Sequence, residues 1–82
     1  MKFLEKYKLA KTWQERATLI NLYHQIKCSH YKKWTLRKSA SYFGLSLGYT
    51  SEALWLANRI DDVRKYKMRK EALEFLREEL KK

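Results

Sequence analysis

The stretch FGLSLGYTSEALWLANRI, Phe43–Ile60, holds both glycines of an 82-residue chain that has no proline. Gly44 follows an amphipathic segment in which Leu36, Ala40 and Phe43 recur at i, i+4 and i+7 after Thr35, a good helix-capping residue. Glycine takes the left-handed conformation that ends a helix without a Cβ penalty, so Gly44 predicts a stop. Leu45 then reads as an apolar plug and Ser46 as a new cap. Thr50, Ala53, Leu54, Ala57 and Ile60 follow as the buried stripe of a second helix. Two helices joined by so short a turn must cross steeply. A small residue at the crossing, a glycine four positions on, an apolar residue and a capping hydroxyl are what such a helix-turn-helix needs. Ala40, Gly44, Leu45 and Ser46 supply them in order.

Outward from this unit the pattern stays helical. TWQE, Thr12–Glu15, is a capping box, and Trp13, Ala17, Ile20 and Tyr23, with Ile26 or Lys27, predict one helix to about Cys28. SHYKK breaks it as a loop. Phe3, Leu4 and Tyr7 suggest a helical turn or two laid on the core. On the far side Asp61 and Asp62 read as caps of a terminal helix over about 62–80. Its apolar side is Val63, Tyr66, Leu73, Leu76 and Leu80, with Phe75 adjacent. The fold expected is a single all-α domain over 1–82. Four to five helices surround a helix-turn-helix at about 35–60, a homeodomain-like trihelical core with a C-terminal helix added.

Nineteen Lys and Arg against nine Asp and Glu give a formal charge of +10. Such an excess attracts polyanions, and nucleic acid is the commonest of them inside cells, because neutralised phosphates release counterions. GLSLGYTSEALWLA, Gly44–Ala57, resembles the helix-turn-helix of the ParB and KorB partition and repressor family. Gly44, Ser46, Tyr49, Ser51, Leu54 and Leu56 carry that resemblance, with WTLRKSASYF as the supporting helix. Thr50 departs from it, standing where an apolar β-branched residue is usual. Partition proteins also carry an amino-terminal nucleotide-binding and clamp region for which this chain has no room. The resemblance therefore implies a stand-alone double-stranded DNA binder, a small phage or plasmid regulator acting as a repressor.

On the second helix the face away from the stripe carries Leu47, Gly48, Ser51, Glu52, Trp55 and Arg59. Base contact is expected from Ser46, Leu47, Gly48, Ser51 and Glu52: hydroxyls to base edges or phosphates, Leu47 to a thymine methyl, Glu52 to a cytosine amino group. Gly48 would let the backbone approach the duplex; relief of crowding against Trp34 or Tyr42 is its other reading. Glu52 equally suits an ion pair with a nearby Lys or Arg. Trp55 fits a sugar-phosphate edge, a subunit contact or the core. Phosphate contact is expected from Lys32, Lys33, Arg37, Lys38 and Arg59. Leu73, Phe75, Leu76 and Leu80 would complete the core or pair with a second copy, since helix-turn-helix dimers read half-sites one helical turn apart.

Other chemistries are not expected. His24, Cys28 and His30 lack a fourth ligand for a structural zinc, and Cys28 reads as a buried thiol. GLSLG lacks the lysine and preceding strand of a phosphate loop. Asp61 with Asp62, or Glu78 with Glu79, diverge on a helix, so no enzyme, cofactor or small-molecule ligand is predicted. The lone thiol, the missing signal-like leader and the missing apolar span predict an intracellular, nucleoid-associated protein that does not enter membranes. Two rival readings use the same residues. One is a small protein-interaction module that binds a host or virion protein; the other is the DNA-recognition subunit of a packaging or replication complex.

Overall fold

The computed structural model describes residues 2–81. They form six helices and no strand: α1 (Phe3–Leu9), α2 (Trp13–His30), α3 (Leu36–Phe43), α4 (Leu47–Asn58), α5 (Ile60–Val63) and α6 (Arg69–Leu80). Three of the starts are set by the hydroxyl caps read from the sequence. Thr12, Thr35 and Ser46 accept hydrogen bonds from the backbone N–H of Glu15, Lys38 and Tyr49, relieving amides that have no partner inside the helix. Glu15 turns its carboxylate back to the N–H of Lys11, one residue before the cap.

Gly44 ends α3 as expected. It is the one positive-φ residue among those described, at φ 71° and ψ 33°. The N–H of Leu45 reaches Ala40 O at 2.9 Å and that of Gly44 reaches Ser41 O at 3.1 Å, the paired closure that satisfies the last carbonyls of a helix. Ser46 then caps α4 three residues after α3 ends.

α2 is the spine. It packs against α1, α3 and α4 and supplies Trp13, Ala17, Ile20 and Tyr23 to a core completed by Phe43, Ala53, Leu56, Val63, Ala72, Leu73 and Leu76. Ile20, Leu56 and Leu76 are wholly buried. Each contributes about 1.5–3 kcal/mol from burial alone. Between Ile26 and Lys27, the sequence alternatives, the lysine lies inward and the isoleucine is exposed.

Four expectations are corrected. The terminal helix does not run from 62 to 80: after the four-residue α5 the chain leaves helical geometry and re-enters it at Arg69. The cause is tertiary, because Trp13 Nε1 donates to Tyr66 O, and Gln14 Nε2 to both Arg64 O and Tyr66 O, all at 2.9 Å. Asp61 and Asp62 cap nothing; they lie within α5 and pair with Arg64 and Arg59. The buried stripe of α4 is Thr50, Ala53 and Leu56, with Leu54 and Ala57 on its edges. Leu80 lies outside the apolar side of α6, 75% exposed.

Candidate nucleic-acid interface

Because α4 turns Thr50, Ala53 and Leu56 inward, its opposite side faces out. Leu47 is 43% exposed, and Gly48, Ser51 and Asn58 are exposed. Trp55 is half-buried against the core rather than projecting from this face. A Cβ built on Gly48 would have no atom within 4 Å, and its φ is ordinary for a helix. Crowding against Trp34 or Tyr42 therefore does not explain this glycine. No neighbour within the described fold asks for it, although a glycine inside a helix costs about 1 kcal/mol relative to alanine.

Ser46 accepts from Tyr49 N–H with its side chain and from the Thr50 hydroxyl with its carbonyl, so its first role is to shape the helix start. Thr50 is wholly buried; its Oγ1–H donates to Ser46 O at 2.8 Å, which lets a hydroxyl stand in an apolar stripe.

The one acid of α4 is fully engaged. Glu52 Oε1 accepts from Arg69 at 3.0 Å and Oε2 from Arg77 at 2.8 Å, tying α4 to α6. The Arg69 guanidinium also lies 3.9 Å from the Tyr49 ring centroid. Of the two sequence readings of Glu52, the ion pair is the one the fold adopts. Its two arginines leave the cluster with a net positive charge along one flank of α4. No sequence signal announced them, since they lie 17 and 25 residues away.

The cations expected to contact phosphate divide into two groups. Lys32 and Lys33 are exposed in the turn before α3, and Arg37 and Lys38 are exposed in its first turn. The eight residues of α3 span about 12 Å and separate the Lys32–Lys33 turn from the turn at Gly44. Lys38 Nζ lies 5.5 Å from the Trp34 ring centroid, and Lys27 Nζ lies 5.3–5.6 Å from those of Tyr23, Tyr31 and Trp34. Lys27, which the sequence offered for the α2 stripe, was not among the expected phosphate contacts. Arg59 stands apart, its Nε donating to Asp62 at 2.8 Å.

Beneath this cluster, Ser39 is wholly buried. Trp34 Nε1–H donates to its Oγ at 2.8 Å, and His24 Nδ1 stands 2.7 Å from the same atom. A hydroxyl that donates to Nδ1 requires the imidazole proton on Nε2, which lies 3.4 Å from Cys28 Sγ. Burial pushes the His24 pKa down from its ordinary value. Cys28 is exposed, which corrects the buried-thiol reading. Among the described residues, no three His, Cys, Asp or Glu side chains gather to hold a metal ion, and no helix is long and apolar enough to cross a membrane.

The leucines proposed for core or dimer also separate. Leu73 and Leu76 are buried in the core, Phe75 is half-buried with its ring 5.8 Å from Tyr66, and Leu80 projects outward. No protein-family model matches the chain, and no curated protein or solved structure matches it.

Proposed function

We propose that the protein binds double-stranded DNA by laying the amino end of α4 in the major groove. α3 to α4 then act as a helix-turn-helix, and the protein serves as a small sequence-specific regulator that represses by occupying an operator. One observation carries the reading: Leu47, Gly48 and Ser51 are exposed, with open space where a Gly48 side chain would stand, at the start of a helix fixed by the Gly44 turn and the Ser46 cap. A polyanion brought to that face meets no uncompensated carboxylate, because Glu52 is shared by two arginines.

In this reading Leu47 packs on a thymine methyl, Ser51 bonds to a base edge or phosphate, and Gly48 allows the helix to approach closely. Glu52 is left out of the base contacts. Lys32, Lys33, Arg37 and Lys38 hold the phosphates on one side, and Arg69 with Arg77 replace Arg59 on the other. The aromatic surface that a protein-interaction module would need is largely spent inside the fold, where Tyr23 stacks on Tyr42 at 4.2 Å and packs edge-on to Phe43.

A gel shift on short duplexes across salt concentrations tests this. Affinity should fall linearly on a log–log scale with a slope of about −0.9 per phosphate neutralised. Selection from a random duplex pool should then return a consensus. Binding with no salt dependence, or a pool that returns none, would sink the operator reading.

A further inference from the structure

The bonds that break the last helix also build a cleft. Trp13 and Gln14 hold the carbonyls of Arg64 and Tyr66, so the segment leading into α6 lies beside the start of α2. Between the two opens a groove of about 530 Å³. Five cations line it, Lys11 and Arg16 from the α2 side and Lys67, Arg69 and Lys70 from the α6 side, and no carboxylate does.

Little within the fold offsets this charge. Arg69 is ion-paired to Glu52, and Arg16 donates to Ala10 O at 3.0 Å. Lys11, Lys67 and Lys70 make no ion pair among the described residues. Glu15 accepts from the N–H of Lys11 but does not line the groove. The start of α6 sharpens the misfit. Arg69 and Lys70 stand in its first turn, where the helix dipole is positive and acids are the stabilising residues; Glu71 is the one acid there, and it too lies outside the groove. Met68 caps that helix without a side-chain hydrogen bond, unlike the hydroxyls that cap α2, α3 and α4. Cations gathered from distant parts of the chain repel one another, and an anion between them removes the cost.

The walls narrow the anion. A single phosphate leaves most of the space empty, and the volume falls in the range of about 300–1,000 Å³ typical of ligand sites. The aromatic of the lining, Trp13, is 7% exposed and its N–H is spent on Tyr66 O, so no ring face is offered to a base. No carboxylate awaits a sugar hydroxyl. We infer that this groove binds a chain of phosphates by charge alone, supplied as free polyphosphate or as a nucleic-acid backbone. Lysine suits such a ligand, because its ammonium is a point charge on a flexible stem with rotatable donors. The site does not require α4 to enter a duplex.

Calorimetric titration with sodium tripolyphosphate, in the absence of DNA, tests the groove. The native chain should bind it, and its thermal midpoint should rise with ligand concentration. Lys67→Gln combined with Lys70→Gln should weaken binding about tenfold or more, the worth of one charge-assisted contact. The same pair should leave the ligand-free midpoint unchanged or higher, since α6 loses a cation from its positive end. Lys2→Gln combined with Lys8→Gln removes equal charge from exposed positions at α1 and should bind as the native chain does. A native chain that does not bind, binding that survives the groove pair, or equal weakening by both pairs overturns the inference. So does a glutamate-rich peptide that competes as tightly as tripolyphosphate. Once the groove is established, duplex DNA that displaces tripolyphosphate identifies a backbone as the source, and duplex that leaves it bound identifies the free polyanion. Failure to bind duplex at all bears on the proposed function alone.

Discussion

The hydroxyl of Ser39 stands 2.7 Å from His24 Nδ1 and takes the indole proton of Trp34 from its other side. One buried oxygen thereby joins α2, α3 and the turn that carries Lys32 and Lys33. Ser39→Ala removes both bonds while adding no bulk, and should cost about 1–3 kcal/mol, the penalty for leaving largely buried polar partners unmet. Urea unfolding measures it; a loss below a few tenths would show that water replaces the hydroxyl.

The same contact sets a pH dependence. Burial holds the folded pKa of His24 below its unfolded value near 6.5, so below that pH the unfolded chain binds the proton more readily. His24's contribution to stability is thus present above about pH 6.5 and is lost as the pH falls toward the folded pKa. Thermal midpoints between pH 7.5 and 5 should decline, and His24→Gln should flatten the slope. Nitrogen-15 spectra should show His24 as the Nε2–H tautomer titrating below 6.5.

Gly44 and Gly48 should part company when each becomes alanine. Gly44→Ala forces a Cβ into φ 71° and should cost about 1–2 kcal/mol. Gly48→Ala meets open space within the protein and should raise stability by up to about 1 kcal/mol. If α4 enters a groove, that more stable variant binds DNA more weakly. Unchanged affinity would remove Gly48 from the interface.

Glu52→Gln uncouples α4 from α6 by weakening both guanidinium contacts. All three side chains are partly solvated, so the expected loss is about 1 kcal/mol or less. If the protein binds DNA as proposed, its operator selectivity should be unchanged by this substitution and its nonspecific affinity should rise, because two arginines lose their counter-charge. A change of preference at one cytosine position would instead restore Glu52 as a base reader.

Local signals were legible where a single residue type decides the geometry. The three hydroxyl caps and the left-handed Gly44 stand where sequence put them, because each acts within four residues of itself. Breaks imposed from a distance were not legible. Nothing near Tyr66 ends a helix; Trp13 and Gln14, some fifty residues earlier, draw its carbonyl and that of Arg64 into tertiary bonds. The α4 stripe slipped from Leu54 and Ala57 to Leu56 because a run so rich in apolar residues fits several phases. For the candidate site, the exposed Leu47, Gly48 and Ser51 follow from helix phase, whereas the fate of Glu52 depended on α6. Ser39 gave no hint, since a serine within a polar-looking helix reads as solvated until its neighbours are known.

The net charge of +10 also sets how the protein answers to its medium. Added salt shortens the reach of every surface charge to about 10 Å at 0.1 M and 3 Å at 1 M. Contacts buried in the core are spared that screening. If the protein grips phosphates as proposed, dilute surroundings should hold it on nucleic acid and potassium-rich ones should release it still folded, with no ligand needed to switch between the two.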